Sequence, residues 1–236
     1  QIPSLIEKHN DIKIVYSSIH GTGIKLVPKA LEAFGFKNII IVEEQATPDG
    51  NFPTVKSPNP EEQSALELAI AKAKQTNADL VMATDPDTDR VGIAVRDHNG
   101  DFILLNGNQT ITLLLNYIIK QWQQQNKLQG KEFVVKTIVT TELLTAIAQK
   151  NNLEIYNVLT GFKYIAEIIK ENEGKKTFIA GGEEGYGYLF GDFVRDKDAV
   201  SACCMIAETA VWAKEQGLSL FDLLLDIYVE YGLYKE

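Results

Sequence analysis

Leu80-Val81-Met82-Ala83-Thr84-Asp85-Pro86-Asp87-Thr88-Asp89-Arg90 is an apolar run of strand length that leads without a break into a sharp acidic turn. Short β-branched runs lie on both sides of it, separated by stretches of helical periodicity, and that alternation predicts an α/β fold with largely parallel strands. Upstream, residues 12–16 read as a strand followed by the turn His20-Gly21-Thr22-Gly23, and a helical stretch runs to Gly35, well placed to end it. Residues 39–42 read as a second strand. Pro48, Pro53, Pro58 and Pro60 keep residues 47–60 in a loop, and helical periodicity returns over 61–76. Downstream, residues 91–95 and 102–105 flank Asn99-Gly100, a strong hairpin signal, and residues 107 to about 125 read as a helix.

The polar segment 126–131 has a glycine and no apolar periodicity, so a domain boundary is expected there. The pattern then restarts: strand 133–138, helix 141–151, strand 155–159, helix 162–172, strand 177–180, and a Gly- and Glu-rich loop over 181–191. The end is helical, with Ser219 and Asp222 forming a capping-box signature for a last helix to about Tyr231. The expected architecture is two consecutive three-layer α/β domains with mixed, mainly parallel sheets, spanning 1–126 and 127–236. The acidic loops 85–90 and 181–187 fall at the same place in each half, after the third strand. Carboxyl ends of strands are where such folds put their sites.

A chain of 236 residues can bury a sizeable core. With 23 Lys plus Arg against 32 Asp plus Glu, the net charge is −9 and there is no basic block, which argues against nucleic-acid binding. Cys203 and Cys204 are adjacent and make no disulfide framework; they read as apolar fillers in a reducing, cytoplasmic compartment. The longest uncharged stretch, 102–119, is broken by Asn106, Gly107, Asn108 and Gln109, so no membrane span is expected. The opening Gln1-Ile2-Pro3, without Met, suggests a piece of something longer.

Asp85, Asp87 and Asp89 place three carboxylates within five residues, where they repel one another unless a cation lies between them. An all-oxygen set suits a hard ion such as Mg2+, and Arg90 would offer a planar donor to a phosphate sharing that ion. An acidic surface turn is the plainer alternative. An EF-hand loop fails here, because Arg90 and Arg96 stand where Gly and Glu are needed. A haloacid-dehalogenase type of phosphatase, with Asp85 as nucleophile, would expect Thr or Val at Asp89. In the second loop, Glu183 and Glu184 lie among Gly181, Gly182, Gly185 and Gly187. Glycines admit a ligand close to the backbone and carboxylates accept hydrogen bonds from vicinal hydroxyls, so a sugar fits; a tight structural turn is the alternative. Behind such a loop, Arg195 and Lys197 become phosphate candidates, although the run 195–198 alone reads as a solvated helix start. Thr160-Gly161 opens a helix as an anion site would. Gly21-Thr22-Gly23 lacks the third glycine of a dinucleotide fingerprint and the lysine of a P-loop, and His20 reads as a turn-stabilising histidine.

Together these segments resemble the α-D-phosphohexomutases, the phosphoglucomutase and phosphomannomutase superfamily. Asp85-Pro86-Asp87-Thr88-Asp89-Arg90 is similar to its metal loop, Asp-x-Asp-x-Asp-Arg, and Gly182-Glu183-Glu184-Gly185 to its sugar-binding loop. His20-Gly21-Thr22-Gly23, Pro58-Asn59-Pro60-Glu61, Thr160-Gly161-Phe162-Lys163 and Arg195-Asp196-Lys197-Asp198 also have counterparts there. The spacer 48–53 and Tyr186-Gly187-Tyr188 look most like the branch of bacterial phosphoglucomutases and phosphopentomutases. The resemblance covers the second and third of four family domains. The chain has no Ser-His-Asn-Pro phosphoserine segment and no Arg-x-Ser-Gly-Thr phosphate loop. Gly185 stands where the family commonly has Ser.

The resemblance implies a central fragment of an isomerase-class phosphotransferase that interconverts sugar 1-phosphate and sugar 6-phosphate through glucose 1,6-bisphosphate or a like intermediate. Mg2+ would sit on Asp85, Asp87 and Asp89. Arg90 and Lys197 would be catalytic, and Thr160, Gly161, Glu183, Glu184, Gly185, Arg195 and Lys197 would bind substrate. The phosphoserine would come from flanking domains of the same polypeptide, so the chain alone would not turn over. The rivals are a Mg2+-dependent phosphatase using Asp85, and a non-catalytic sugar-phosphate-binding module.

Overall fold

The run Leu80–Thr84 becomes the centre of a five-stranded sheet in the computed structural model, which describes residues 1–235. In chain order the first half comprises α1 (Pro3–Lys8), β1 (Lys13–Ser17), α2 (Val27–Phe34), β2 (Asn38–Ile41), α3 (Gln63–Thr76), β3 (Leu80–Thr84), β4 (Val91–Arg96), β5 (Phe102–Leu105) and α4 (Gly107–Gln124). The second comprises β6 (Glu132–Thr137), α5 (Leu143–Lys150), β7 (Glu154–Val158), α6 (Phe162–Glu171), β8 (Thr177–Gly182), β9 (Tyr188–Phe190), α7 (Ala199–Glu215) and α8 (Leu220–Tyr231).

The sheets run β2-β1-β3-β4-β5 and β7-β6-β8-β9. Pairings within β2-β1-β3 and β7-β6-β8 are parallel, while β3-β4, β4-β5 and β8-β9 are antiparallel. This is the mixed α/β architecture the alternating pattern predicts. The period of two explains how β3 is buried throughout: Leu80 and Met82 face one core, Val81 and Ala83 the other, and α3 covers the latter. Gly35 ends α2 with φ of 110°, and Asn99-Gly100 closes the β4–β5 hairpin. The capping box at Ser219 and Asp222 starts α8 as the spacing predicts, and a second, at Asn106 and Gln109, starts α4.

The sequence does not announce α1, which has six residues, or β9, three residues inside the glycine-rich stretch read as loop. Both are too short to carry a period of their own, and both are placed by tertiary packing. The covering helices also cross between the halves. Helix α7 packs on α2, β3 and β4 of the first sheet, while α4 packs on β8, α5 and α8. One apolar core therefore runs through both sheets. Cys203 and Cys204 are buried free thiols in α7, and burial pushes Cys204 up to about 12. Among the described residues, no helix is long and apolar enough to cross a membrane.

Candidate functional site

The turn between β3 and β4 folds around its own first carboxylate. Asp85 Oδ1 accepts the backbone N–H groups of Asp89 (3.0 Å) and Arg90 (2.9 Å), and the Asp85 carbonyl accepts that of Thr88 (3.1 Å). Thr88 takes the left-handed conformation, φ 65°, which brings Asp89 back towards Asp85. Ligand oxygens of Asp85, Asp87 and Asp89 then lie within 4.8 Å of one another. Burial raises the Asp85 carboxyl to about 7; the Arg90 amide opposes this, and the charges of Asp89 and Asp87 add to it. Three convergent carboxylates, one buried, are a donor set that a hard divalent cation fits, because the cation offsets both the desolvation and the repulsion.

The turn rests on Gly21-Thr22-Gly23. Thr22 donates its N–H (2.8 Å) and hydroxyl (3.0 Å) to the Pro86 carbonyl. A Cβ on Gly21 would come 2.4 Å from Pro86 Cα, so the close approach requires glycine. His20 donates Nδ1–H to the Thr47 carbonyl (3.1 Å) and Nε2 lies 2.9 Å from Thr54 Oγ1, the turn-stabilising role read from its lack of an acidic partner.

The second acidic loop, between β8 and β9, meets the first at the backbone. Arg90 and Gly187 form an antiparallel bridge, and Val91 N–H donates to the Tyr186 carbonyl (3.1 Å). Lys197 spans the junction: its Nζ lies 2.8 Å from Asp89 Oδ2 and 3.1 Å from Asp196 Oδ1. Burial works against the ammonium, but these hydrogen bonds outweigh it and hold Lys197 above the usual lysine value. Its stem crosses Gly187, where a Cβ would come 2.1 Å from Lys197 Cδ. Asp85, Asp87, Asp89, Arg90 and Lys197 are thus one cluster.

The remaining predicted residues spread outward from it. Glu183 Oε1 accepts the Gly161 N–H (2.9 Å), which joins the Thr160-Gly161 turn to the loop. Glu184 turns inward, its Oε2 accepting from Thr137 Oγ1 (3.2 Å) and Thr140 Oγ1 (3.1 Å). A Cβ at Gly185 would meet only Glu61 Oε1, at 3.8 Å. Arg195 is not brought into the cluster; its Nη2 pairs with Glu173 at 3.3 Å, just past the end of α6.

Two side chains absent from the expected site belong with it. Glu61 Oε1 lies 3.7 Å from Arg90 Nη1, held there because Pro60 packs on Gly92, where a Cβ would come 2.2 Å from the Pro60 carbonyl oxygen. Lys136 is fully buried and donates to the Thr137 and Thr140 carbonyls (3.3 and 2.9 Å) and to Glu142 Oε1 (2.8 Å). It shapes the turn whose hydroxyls hold Glu184. The signal for it was a single lysine in the apolar strand Phe133-Val134-Val135-Lys136. Lys136→Met takes the donor from the Thr140 carbonyl, while the Thr137 carbonyl keeps the Thr140 N–H (3.1 Å). It should cost about 2 kcal/mol in a urea denaturation series, whereas Glu142→Ala, whose carboxylate is solvated, should cost less.

The sequence matches Phosphoglucomutase/phosphomannomutase, alpha/beta/alpha domain II over residues 2–100 and alpha/beta/alpha domain III over residues 106–231. It is 40% identical over 227 residues to the phosphoglucomutase of Staphylococcus haemolyticus, a match that covers 96% of this chain and 41% of that protein. The fold superposes on a Phosphoglucomutase/phosphomannomutase family protein from Burkholderia thailandensis with a TM-score of 0.68 at 20% identity, over 92% of this chain and 42% of that one. It also superposes on Aspergillus fumigatus N-acetylphosphoglucosamine mutase in complex with GlcNAc-6P and magnesium, with a TM-score of 0.51 at 18% identity, over 98% of this chain and 50% of that one. A further structure of that mutase holds glucose 1,6-bisphosphate. The chain spans about 40% of the length of the curated relatives it matches. With both domain descriptions matched in order, and with the Asp85–Arg90 turn joined to the Glu183–Gly187 loop, this chain belongs to the phosphoglucomutase/phosphomannomutase family.

Proposed function

We propose that this chain is the metal- and sugar-binding core of a cytoplasmic phosphomutase that interconverts sugar 1-phosphate and sugar 6-phosphate. The observation that carries this reading is the direct junction of the two acidic loops, closed by Lys197 on Asp89 at 2.8 Å. Asp85, Asp87 and Asp89 would hold Mg2+, which when bound neutralises charge on a transferring phosphoryl group. Arg90 and Lys197 present cationic donors to the phosphate oxygens at the same place. Glu183, on the loop that faces them, accepts from sugar hydroxyls, and Glu184 fixes the loop from below. Thr160 and Gly161 bind the phosphate remote from the metal. The exposed Arg195–Glu173 pair contributes under about 1 kcal/mol, so Arg195 can exchange Glu173 for that phosphate.

The donor phosphoserine is proposed to lie in the polypeptide outside these 236 residues. Its phosphoryl group passes to the free hydroxyl of a sugar monophosphate, giving a bisphosphate and a free serine. After the bisphosphate turns over, its other phosphoryl group returns to the serine and the isomeric monophosphate leaves. The Aspergillus fumigatus enzyme's complexes with magnesium and with glucose 1,6-bisphosphate support the choice of ligands. A thermal-shift titration tests it. Mg2+ should stabilise the chain, and glucose 1,6-bisphosphate at 100 times its Kd should add about 2.7 kcal/mol more. No response to the bisphosphate in Mg2+, or steady release of inorganic phosphate from it, would refute the reading.

A further inference from the structure

Two carboxylates of the loop between β8 and β9 already hold protein donors, and a third approaches the loop from the first half of the chain. Glu183 is held by the Gly161 amide, and Glu184 by Thr137 and Thr140. Among the described residues Glu61 accepts no hydrogen bond; its one charged partner, Arg90, stands 3.7 Å away. Its backbone is nevertheless fixed, since its N–H donates to Asn59 Oδ1 (3.0 Å) and Pro60 packs on Gly92. Glu61 thus presents an anchored, uncommitted acceptor, and its carboxylate faces Gly185: a Cβ built there would have Glu61 Oε1 as its nearest neighbour, at 3.8 Å. The Tyr186 hydroxyl registers the same proximity, raised first by burial and then by the Glu61 charge.

Gly185 has no positive φ that would require glycine and no crowding that would exclude a side chain. Its missing side chain leaves a gap, lined by the Glu61 carboxylate, which pairs with Arg90 at 3.7 Å but accepts no hydrogen bond among the described residues. We propose that Glu61 is a specificity-determining residue, accepting a hydrogen bond from one sugar hydroxyl in the gap beside Gly185. This rests on the phosphomutase reading above and adds to the sugar loop a residue from the first half of the chain. A serine at 185 would place its own hydroxyl against Glu61 and fill the gap.

The test is calorimetric titration of the 236-residue chain, in Mg2+, with glucose 1,6-bisphosphate and with its 2-, 3- and 4-deoxy analogues. Glu61→Ala should weaken the parent ligand about tenfold, the loss of one charge-assisted hydrogen bond. It should weaken one deoxy analogue hardly at all, because that analogue lacks the hydroxyl concerned, and the other two as much as the parent. Gly185→Ser should weaken the parent and leave the same single analogue least affected. If Glu61→Ala weakens all four ligands equally, Glu61 acts only by placing Arg90 and the inference fails; equal binding by variant and wild type also overturns it. If the wild-type chain binds none of the four in Mg2+, the phosphomutase reading itself fails.

Discussion

Asp87→Asn should abolish the stabilisation of this chain by Mg2+ while raising its stability in the absence of the ion. Ligand oxygens of the three aspartates lie within 4.8 Å of one another, and at about 4 Å two like charges near a protein surface repel by several kcal/mol. Removing one of them relieves the metal-free turn. The same charge attracts a divalent ion twice as strongly as it repels a neighbour, so its loss should weaken Mg2+ binding about a hundredfold or more. Two melting curves on each protein, with Mg2+ and with a chelator, read both effects. A variant that keeps the wild-type Mg2+ shift would place the ion elsewhere. A variant that loses stability in the chelator would make Asp87 a structural residue of the turn.

The second large effect is Gly107→Ala, at the first position of α4. A Cβ there would lie 1.8 Å from the Glu184 carbonyl oxygen and 3.0 Å from the Tyr186 nitrogen. Both atoms are backbone, so no rotamer change relieves the clash: either α4 or the loop must move. The cost should reach about 3 kcal/mol, at the upper end for overpacking, or about 6–12 °C in Tm for a chain of this size. The displaced loop should also lose its response to glucose 1,6-bisphosphate, whereas Mg2+ binding at Asp85, Asp87 and Asp89 persists. Gly50→Ala is the control: a Cβ there meets nothing within 4 Å, so the melting temperature should not change. Equal Tm values for the two variants would mean that the loop is not seated on α4 as described.

What was legible in the sequence followed from local rules. The buried strand Leu80–Thr84, the hairpin at Asn99-Gly100, the end of α2 at Gly35 and the Ser219 cap each announce themselves within a few residues. The carboxylate cluster was legible because three aspartates in one turn have few physical explanations. Long-range placement was not. Nothing local says that Glu61, 24 positions or more from the aspartates, lies beside them, or that Glu184 points inward while Glu183 faces the Thr160-Gly161 turn. Arg195 and Lys197 are two residues apart, yet only Lys197 reaches Asp89. Their order along the chain gives no hint of that; the chain bends through residues 191–196 before the Asp198 cap of α7, and the bends separate the two side chains. The role of Gly21 and Gly107 was invisible for the same reason, since each is required by backbone that arrives from far along the chain.

The two acidic loops are proposed to form one site, with the ion on Asp85, Asp87 and Asp89 and the sugar against residues 183–187. A crystal structure of the chain with Mn2+ and glucose 1,6-bisphosphate tests it most directly, because Mn2+ is visible by its anomalous scattering and accepts the same oxygen ligands as Mg2+. One anomalous peak coordinated by all three aspartates is expected, with a phosphate of the ligand beside Arg90 and Lys197 and its hydroxyls on Glu183. An ion bound outside the triad, or a ligand that leaves the 183–187 loop untouched, would contradict it.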